Sequence, residues 1–180
     1  MPKRVANIMI LCEDLEHRNL VYRYLLKAGQ NERSVRLVPL PGNRQAGSQY
    51  VREQFPKQVR ECRGVLGRRA SCILIVVTDA DNLTPVQREN TLLGELGDPI
   101  EPNEPIILLI PKWNVETWVK CALGYAMLED DRDSDRPPVN ADQVKAAAHT
   151  IFDWARPAAQ VEDKCVPSLT AALPRWRRIG

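Results

Sequence analysis

The sequence lacks any long hydrophobic run. A helix that crosses a bilayer needs about 20 consecutive apolar residues, and every apolar run among these 180 residues is much shorter. The basic residues 1–4 precede an apolar run, 5–12, that contains Asn7 and ends in Glu13. No small-residue cleavage site follows, so we interpret this run as a strand and not as a signal peptide. We therefore expect a cytoplasmic protein with no membrane partner.

Paired cysteine motifs are also missing. The chain has five cysteines but no CxxC pair, which argues against a zinc site. Four cysteines lie in predicted strands or helices: Cys12, Cys62, Cys72 and Cys121. We expect reduced thiols, as is usual in the cytosol.

The known phosphate-binding loops are absent as well. The turn-rich segment 41–48 lacks the GK[ST] of a P-loop and does not fit a dinucleotide-binding fingerprint. Contact with phosphate through Arg44 and backbone N–H groups stays an open alternative for this segment.

The net positive charge is small, but the charged residues are unevenly distributed. The net charge is only +2, yet basic residues cluster between 41 and 72, and residues 129–135 are mostly acidic. A basic cluster can mark a phosphate-rich partner, and a solvated helix face is an equally simple explanation. The candidate nucleic-acid-binding residues are Arg44, Arg52, Arg60, Arg63, Arg68, Arg69 and Lys112.

What the chain does contain is an alternation of strand-like and helix-like segments. Continuous apolar runs are typical of strands buried on both faces, and the predicted strands are 5–11, 34–40, 71–78 and 106–110. Segments with helical spacing follow each run. This order predicts an α/β fold with a mainly parallel four-stranded sheet flanked by helices. We expect a core over 1–127, an acidic mobile loop over 128–139 and a C-terminal helical extension packed on the core over 140–180.

Cap and turn residues predict the helix boundaries. Ser48 is expected to cap the second helix, and Pro56 is expected to kink or split it. Thr84 followed by Pro85, and later Asn114, are expected to begin the third and fourth helices. In the tail, the apolar residues Leu169, Leu173 and Trp176 fit either a docking surface or ordinary core.

Acidic residues end two of the predicted strands. Glu13 follows the first strand, and Asp79 and Asp81 follow the third. Ligands of parallel sheets bind beyond the carboxyl ends of the strands. Close carboxylates repel each other, and a divalent cation with oxygen ligands relieves that repulsion. We therefore predict a site for Mg²⁺ (or Mn²⁺) made by Glu13, Asp79 and Asp81, with an ordinary strand-ending turn at 79–81 as the alternative.

Other polar residues fall near the same edge. Lys112 follows the fourth strand and could meet a phosphate, whereas a solvated loop lysine is the simple alternative. Glu116 lies in the first turn of a helix, where acids are common for electrostatic reasons. His17 could shuttle protons, but we expect an exposed helix histidine. We expect Trp113 and its neighbours to pack rather than to stack on bases.

Two short motifs carry a family resemblance. The run Ile10-Leu11-Cys12-Glu13, together with a strand ending in Asp79-Ala80-Asp81, resembles the Toprim domain. That domain occurs in topoisomerases, bacterial primases, recombination proteins and nucleases of the overcoming-lysogenization-defect type. Segment 110–118, and more loosely 47–63, is similar to small stand-alone Toprim-like proteins, several from bacterial defence loci. The resemblance covers roughly residues 5–126.

The resemblance implies a Toprim-like (Rossmann-like) fold and a function. It implies a Mg²⁺-dependent nuclease or nucleic-acid phosphoryl-transfer protein of an anti-phage defence or DNA-processing system, acting on DNA more than on RNA. Glu13 would be the general acid/base or a metal ligand, and Asp79 and Asp81 would hold Mg²⁺. Glu116 would be an extra acidic residue of the nuclease-like branch, so the candidate catalytic residues are Glu13, Asp79, Asp81 and Glu116.

The chain also departs from the family pattern. Asp14 stands where Toprim domains usually have glycine. The chain lacks the ATPase domain of many Toprim nucleases and the tyrosine-bearing domain of topoisomerases. A separately encoded ATPase or other partner protein is therefore plausible, as is a homo-oligomer.

Three alternatives stay open. One is a non-catalytic Toprim-like subunit of a multiprotein complex. Another is a DxD phosphatase with Asp79 as nucleophile, although that motif normally follows the first strand and here follows the third. The last is a receiver-like module, which would have a fifth strand before its lysine.

Overall fold

A computed structural model describes residues 5–42, 46–130, 138–157, 159 and 165–180. Its four strands form one sheet in the order β2-β1-β3-β4, with every neighbouring pair parallel. The strands are β1 (Asn7–Cys12), β2 (Val35–Leu37), β3 (Cys72–Val77) and β4 (Ile106–Leu109). The predicted α/β fold with a parallel four-stranded sheet is confirmed, and its architecture is Rossmann-like.

Helices follow each strand and close the chain. They are α1 (Leu15–Lys27), α2 (Gly47–Gly67), α3 (Pro85–Gly94), α4 (Val115–Ala122), α5 (Ala141–Trp154) and α6 (Pro167–Ile179), and a short 3-10 helix spans Glu32–Ser34. In the described part of the chain, no helix combines the length and the apolar character needed to cross a membrane.

The two central strands organise the core. β1 and β3 pair along their whole length, from Asn7 with Cys72 to Cys12 with Val77. Alternate side chains along a strand face opposite sides of the sheet, so the apolar runs supply two cores. One core packs against α1, α4, α5 and α6, and the other against α2 and α3. Because the two strands end in register, the residues that follow them lie side by side.

Two predicted helix features differ from the structure. The second helix begins at Gly47 with Ala46 as its N-cap, so Ser48 lies inside the first turn instead of capping it. Pro56 does not split that helix, which is continuous over 21 residues. A proline inside a helix costs about 3 kcal/mol, and the burial of Val51 and Phe55 before it and of Val59 after it offsets this cost. The predicted caps Thr84 and Asn114 are confirmed.

The C-terminal helix α6 packs into the core. Leu169, Leu173 and Trp176 are all buried, and the Trp176 ring contacts the rings of Tyr24 and Trp118. These apolar residues are therefore core and not a docking surface. Residues 131–137, the centre of the predicted acidic loop, lie outside the described residues.

Helix α6 also reaches the outer edge of the sheet at β4. Arg175 Nη1 donates to the Leu108 carbonyl (2.8 Å), and Nη2 donates to the Glu89 carboxylate (2.7 Å). Arg178 Nη2 donates to the Glu104 carbonyl (2.6 Å), just before the strand. Backbone acceptors beside and along this edge strand are thus occupied by side chains of the same chain.

Candidate functional site

The candidate site begins where β1 and β3 end next to each other. Glu13 follows β1, and its Oε1 accepts hydrogen bonds from Thr78 Oγ1 and from the Asp79 backbone N–H (2.9 Å). Both donors belong to the residues that follow β3. The Glu13 carboxylate is therefore bonded across the strand ends, and this fixes it beside Asp79.

Helix α2 presses closely on the same carboxylate. A Cβ placed on Gly47 would lie 2.7 Å from Glu13 Cβ and 3.0 Å from its Oε2. Real Cβ atoms do not approach that closely, so only glycine fits the first position of α2. The absence of a side chain at residue 47 lets the helix begin directly against Glu13.

Asp79 is bonded to a histidine on α1. His17 Nε2 lies 2.9 Å from Asp79 Oδ1, and His17 Nδ1 lies 2.6 Å from Asp14 Oδ1. The His17 side chain is only 1% exposed, so the expectation of an exposed helix histidine is wrong. The reason is local. Asp14 is the N-cap of α1, and the side chain three residues later folds back over that cap toward the strand ends.

Asp81 is held apart from this pair. Its backbone leaves the extended conformation, with φ of 55°, so the strand alternation that would align it with Asp79 ends before it. Asp81 Oδ2 instead accepts from Arg88 Nη2 (3.1 Å), while Arg88 Nε donates to the Asp79 carbonyl (2.9 Å). The structure therefore brings together Glu13 and Asp79 and places Asp81 in an adjacent turn clamped by Arg88.

Lys112 contacts the same turn. Its Nζ donates to the carbonyls of Asp81 and Leu83, each at 2.8 Å, and lies 4.1 Å from the centre of the Trp113 ring. Lys112 thus holds the turn in place, and its contact with nucleic acid stays a prediction. An open cavity of about 360 Å³ adjoins this turn and is lined by Asp81, Asn82, Trp113 and Asn114.

Proton affinity is shifted at both strand-end carboxylates. Burial, together with the negative charge of Asp79, raises the pKa of Glu13 to about 7 despite the hydrogen bond from Thr78. Burial also raises the pKa of Asp79, although His17 opposes the rise. Burial raises the pKa of Glu116 in the first turn of α4, and the charges of His17 and Asp79 act on it as well. Glu116 is therefore part of the same electrostatic cluster.

At the buried histidine, neighbouring groups affect the pKa more than burial does. Burial disfavours a charged ring, but the charge of Asp79 and the bonds to Asp14 and Asp79 outweigh it, so the pKa of His17 is raised well above its usual range. Burial likewise works against the Asp14 carboxylate, but the bond and charge of His17 prevail and lower its pKa. Ionised carboxylates only accept, so with both Asp14 and Asp79 ionised both ring nitrogens donate.

The predicted basic residues extend away from the site. α2 begins at Gly47, next to Glu13, and has 21 residues, so at 1.5 Å per residue its far end is about 30 Å away. Arg52 pairs with Glu95 (3.4 Å), and Arg63 pairs with Glu104 (3.1 Å). Three further exposed members lie along α2 and just after it: Arg60, Arg68 and Arg69. We call these three the basic stripe, and its binding of nucleic acid stays a prediction. Arg44 lies outside the described residues.

The donor set at the strand ends suits one kind of metal site. Among the described residues, no group of three or more histidine, cysteine, aspartate or glutamate side chains is arranged to hold a metal ion. The hydrogen bonds of the pair use Glu13 Oε1 and Asp79 Oδ1, which leaves Oε2 and Oδ2 for a ligand. Mg²⁺ keeps several waters and is often bound by only one or two carboxylates plus substrate phosphate. The pair offers oxygen ligands of the kind that a hydrated Mg²⁺ or Mn²⁺ ion takes, and binding of either ion stays a prediction.

Sequence reasoning missed three residues that shape this site, Gly47, Thr78 and Arg88. It named His17 but expected it to be exposed. The spacing of Asp14 and His17 was a usable signal, because residues at an N-cap and three positions later often contact each other. The close approach of Gly47 and the clamp by Arg88 depend on how α2 and α3 pack, which no local pattern reveals.

Comparison with protein-family models, with curated protein sequences and with solved structures finds no match to this chain.

Proposed function

We propose that this chain is a Mg²⁺-dependent, Toprim-like nuclease or related phosphoryl-transfer protein of a bacterial anti-phage defence or DNA-processing system. Its substrate is nucleic acid, DNA more than RNA, and its compartment is the cytoplasm. The observation that carries the proposal is the pairing of Glu13 with Asp79 at the carboxyl ends of β1 and β3. Each carboxylate has one oxygen bonded within the protein and one left for a ligand.

The proposed metal would be held by Glu13 Oε2 and Asp79 Oδ2. When bound, Mg²⁺ would neutralise charge on the scissile phosphate and stabilise its leaving oxygen. The negative charge of Asp79 helps to raise the pKa of Glu13, and a divalent cation would remove this repulsion. Asp81 would act from the neighbouring turn, where Arg88 holds one of its oxygens.

Glu13 also fits a general acid/base role. With a pKa of about 7, it can both accept and release a proton near neutral pH. Thr78 and the Asp79 N–H hold its Oε1, so proton transfer would use Oε2. Glu116, whose pKa is also raised by burial, is the second candidate for proton transfer. The ligand role and the acid/base role of Glu13 differ in whether Glu13→Gln still binds metal.

One observation favours a second candidate function. Asp81, one of the two aspartates of the motif, pairs with Arg88 and does not join Glu13 and Asp79. A site with an incomplete acidic set suits a non-catalytic Toprim-like subunit that binds nucleic acid or a partner protein such as a separately encoded ATPase. Binding without turnover would distinguish this candidate from the nuclease.

The proposal is tested by cleavage assays on purified protein. Supercoiled DNA, duplex DNA, single-stranded DNA and RNA would be incubated with Mg²⁺, Mn²⁺ or EDTA. Wild type would run beside Glu13→Gln and Asp79→Asn, which preserve side-chain shape and hydrogen-bond acceptors, and beside Glu101→Gln, an exposed control. We expect metal-dependent cleavage that both site variants lose and the control keeps.

Two other outcomes would contradict the nuclease. Cleavage that persists in both site variants would assign the activity to another site. If folded wild type cleaves none of the substrates, the stand-alone nuclease is wrong, and the non-catalytic or partner-dependent role takes its place.

A further inference from the structure

One buried group at the site has no part in the proposed reaction. His17 lies between two carboxylates, with Nδ1 2.6 Å from Asp14 Oδ1 and Nε2 2.9 Å from Asp79 Oδ1. The ring is almost fully buried, whereas the Asp14 side chain is 48% exposed. The three side chains thus form a chain from the surface to the strand-end site.

Packing alone does not explain a histidine at this position. Burying a polar ring costs free energy unless both of its nitrogens find partners, and an apolar side chain would fill the same space without that cost. Here both nitrogens have partners, and the partner of Nε2 is Asp79, the carboxylate predicted to hold the metal. Ligating carboxylates are commonly fixed by an outer hydrogen bond, and loss of such a bond typically weakens metal binding 10- to 100-fold.

The consequence for Asp79 is a restriction on how it can bind. The hydrogen bond from His17 occupies one lone pair of Oδ1, and this favours Oδ2 as the oxygen that would bind a cation. Glu13 is restricted in the same way, because Thr78 and the Asp79 N–H both bond its Oε1. Two carboxylates that each offer one oxygen suit the small octahedral Mg²⁺, whereas Ca²⁺ takes more ligands and readily accepts both oxygens of one carboxylate.

We propose that His17 is a positioning residue that limits Asp79 to single-oxygen coordination and thereby makes the site prefer Mg²⁺ over Ca²⁺. Asp14 supports this role by fixing the ring through Nδ1. The identity of the ligand rests on the proposed function, but the fixing of Asp79 by His17 does not. The two parts can therefore fail separately.

The test uses matched substitutions at His17. In His17→Gln, the amide nitrogen takes the place of Nε2 and still donates to Asp79. In His17→Asn, the shorter side chain does not reach Asp79. His149, the other of the two histidines, is the control, as His149→Gln. Asp14→Ser serves as a second route: it keeps an N-cap for α1 but removes the carboxylate that anchors the ring, at a half-exposed position that tolerates change.

Two measurements would be made on the whole chain. The first is the affinity for Mg²⁺ and for Ca²⁺ by titration calorimetry, with Mn²⁺ spin resonance as a check. The second is the carbon resonance of the Asp79 carboxyl group in metal-free protein, assigned by its loss in Asp79→Asn. We expect wild type, His17→Gln and His149→Gln to share one Asp79 resonance and to bind Mg²⁺ at least tenfold more tightly than Ca²⁺.

We expect His17→Asn to shift the Asp79 resonance, to lose about tenfold in Mg²⁺ affinity and to lose its preference over Ca²⁺. Asp14→Ser would change the Asp79 resonance and the cation affinities in the same direction by a smaller factor. If His17→Asn does not fold, Asp14→Ser provides the test of the proposal. Unchanged selectivity in folded variants would overturn the proposal. If wild type binds neither cation, the proposed metal function fails, and an unshifted Asp79 resonance would then overturn the positioning role as well.

Discussion

Gly47 lies against Glu13 so closely that a Cβ at position 47 would be 2.7 Å from Glu13 Cβ. The contact couples the start of α2 to the carboxylate that bridges β1 and β3. The position of Glu13 therefore depends on a residue that has no side chain.

Replacing that glycine tests the coupling. We expect Gly47→Ala to displace Glu13 and to lower the free energy of unfolding by about 1–3 kcal/mol, as overpacking does. Gly64→Ala is the matched control in the same helix, because nothing lies within 4 Å of its Cβ position. Since alanine favours helices, the control should stabilise by about 0.5–1 kcal/mol. Urea unfolding measures the free energy of unfolding of both variants. An equal change in the two would show that the Gly47 contact is unimportant.

The raised pKa of Glu13 predicts a pH-dependent stability. The folded chain releases this proton near pH 7, whereas the unfolded chain releases it near the ordinary value of 4.5. Folding is therefore favoured most below pH 4.5, and this contribution is lost as the pH rises through 7. The shift corresponds to about 3 kcal/mol.

Glu13→Gln isolates this contribution from those of neighbouring groups. We expect the variant to equal wild type in unfolding free energy at pH 4.5 and to exceed it at pH 8, because a neutral amide replaces a buried charge. Urea unfolding at the two pH values gives the difference, with Glu101→Gln as the exposed control. A constant difference across this range would contradict the assigned pKa.

Arg88 should be a stability determinant of the turn that follows β3. It donates to the Asp79 carbonyl and to the Asp81 carboxylate while Asp81 has a positive φ. We expect Arg88→Met, which keeps the length and removes the donors, to cost about 1–3 kcal/mol. Arg60→Met, at an exposed position of α2, should stay within about 0.5 kcal/mol. Thermal unfolding would show whether the two variants differ.

The basic stripe predicts a salt-dependent affinity for nucleic acid. If Arg60, Arg68 and Arg69 contact phosphates, replacing all three by alanine should reduce the slope of log affinity against log salt by about 2–3. The triple lysine variant keeps the charges and should keep most of the slope. Fluorescence anisotropy with a labelled duplex provides the measurement. An unchanged slope in the alanine variant would exclude the stripe from the interface.

The sequence was most informative about features that depend on neighbouring residues. Apolar runs located all four strands, and the acids that end β1 and β3 could be placed at one edge because parallel strands share that edge. The position of Asp81 could not be predicted, since its positive φ goes with bonds from Arg88 and Lys112, which lie elsewhere in the chain. The burial of His17 likewise depends on Asp79, 62 residues away. Contacts between distant segments leave no periodic pattern.

The arginines of α6 give the sheet two unlike borders. On the β4 side, Arg175 and Arg178 occupy backbone acceptors that another strand would need, so this border is guarded against edge-to-edge association. The opposite border is β2, a strand of only three residues that displays a partly exposed Leu37. Very short edge strands are themselves a protection against strand addition, so both borders are guarded, β4 by arginines and β2 by its shortness.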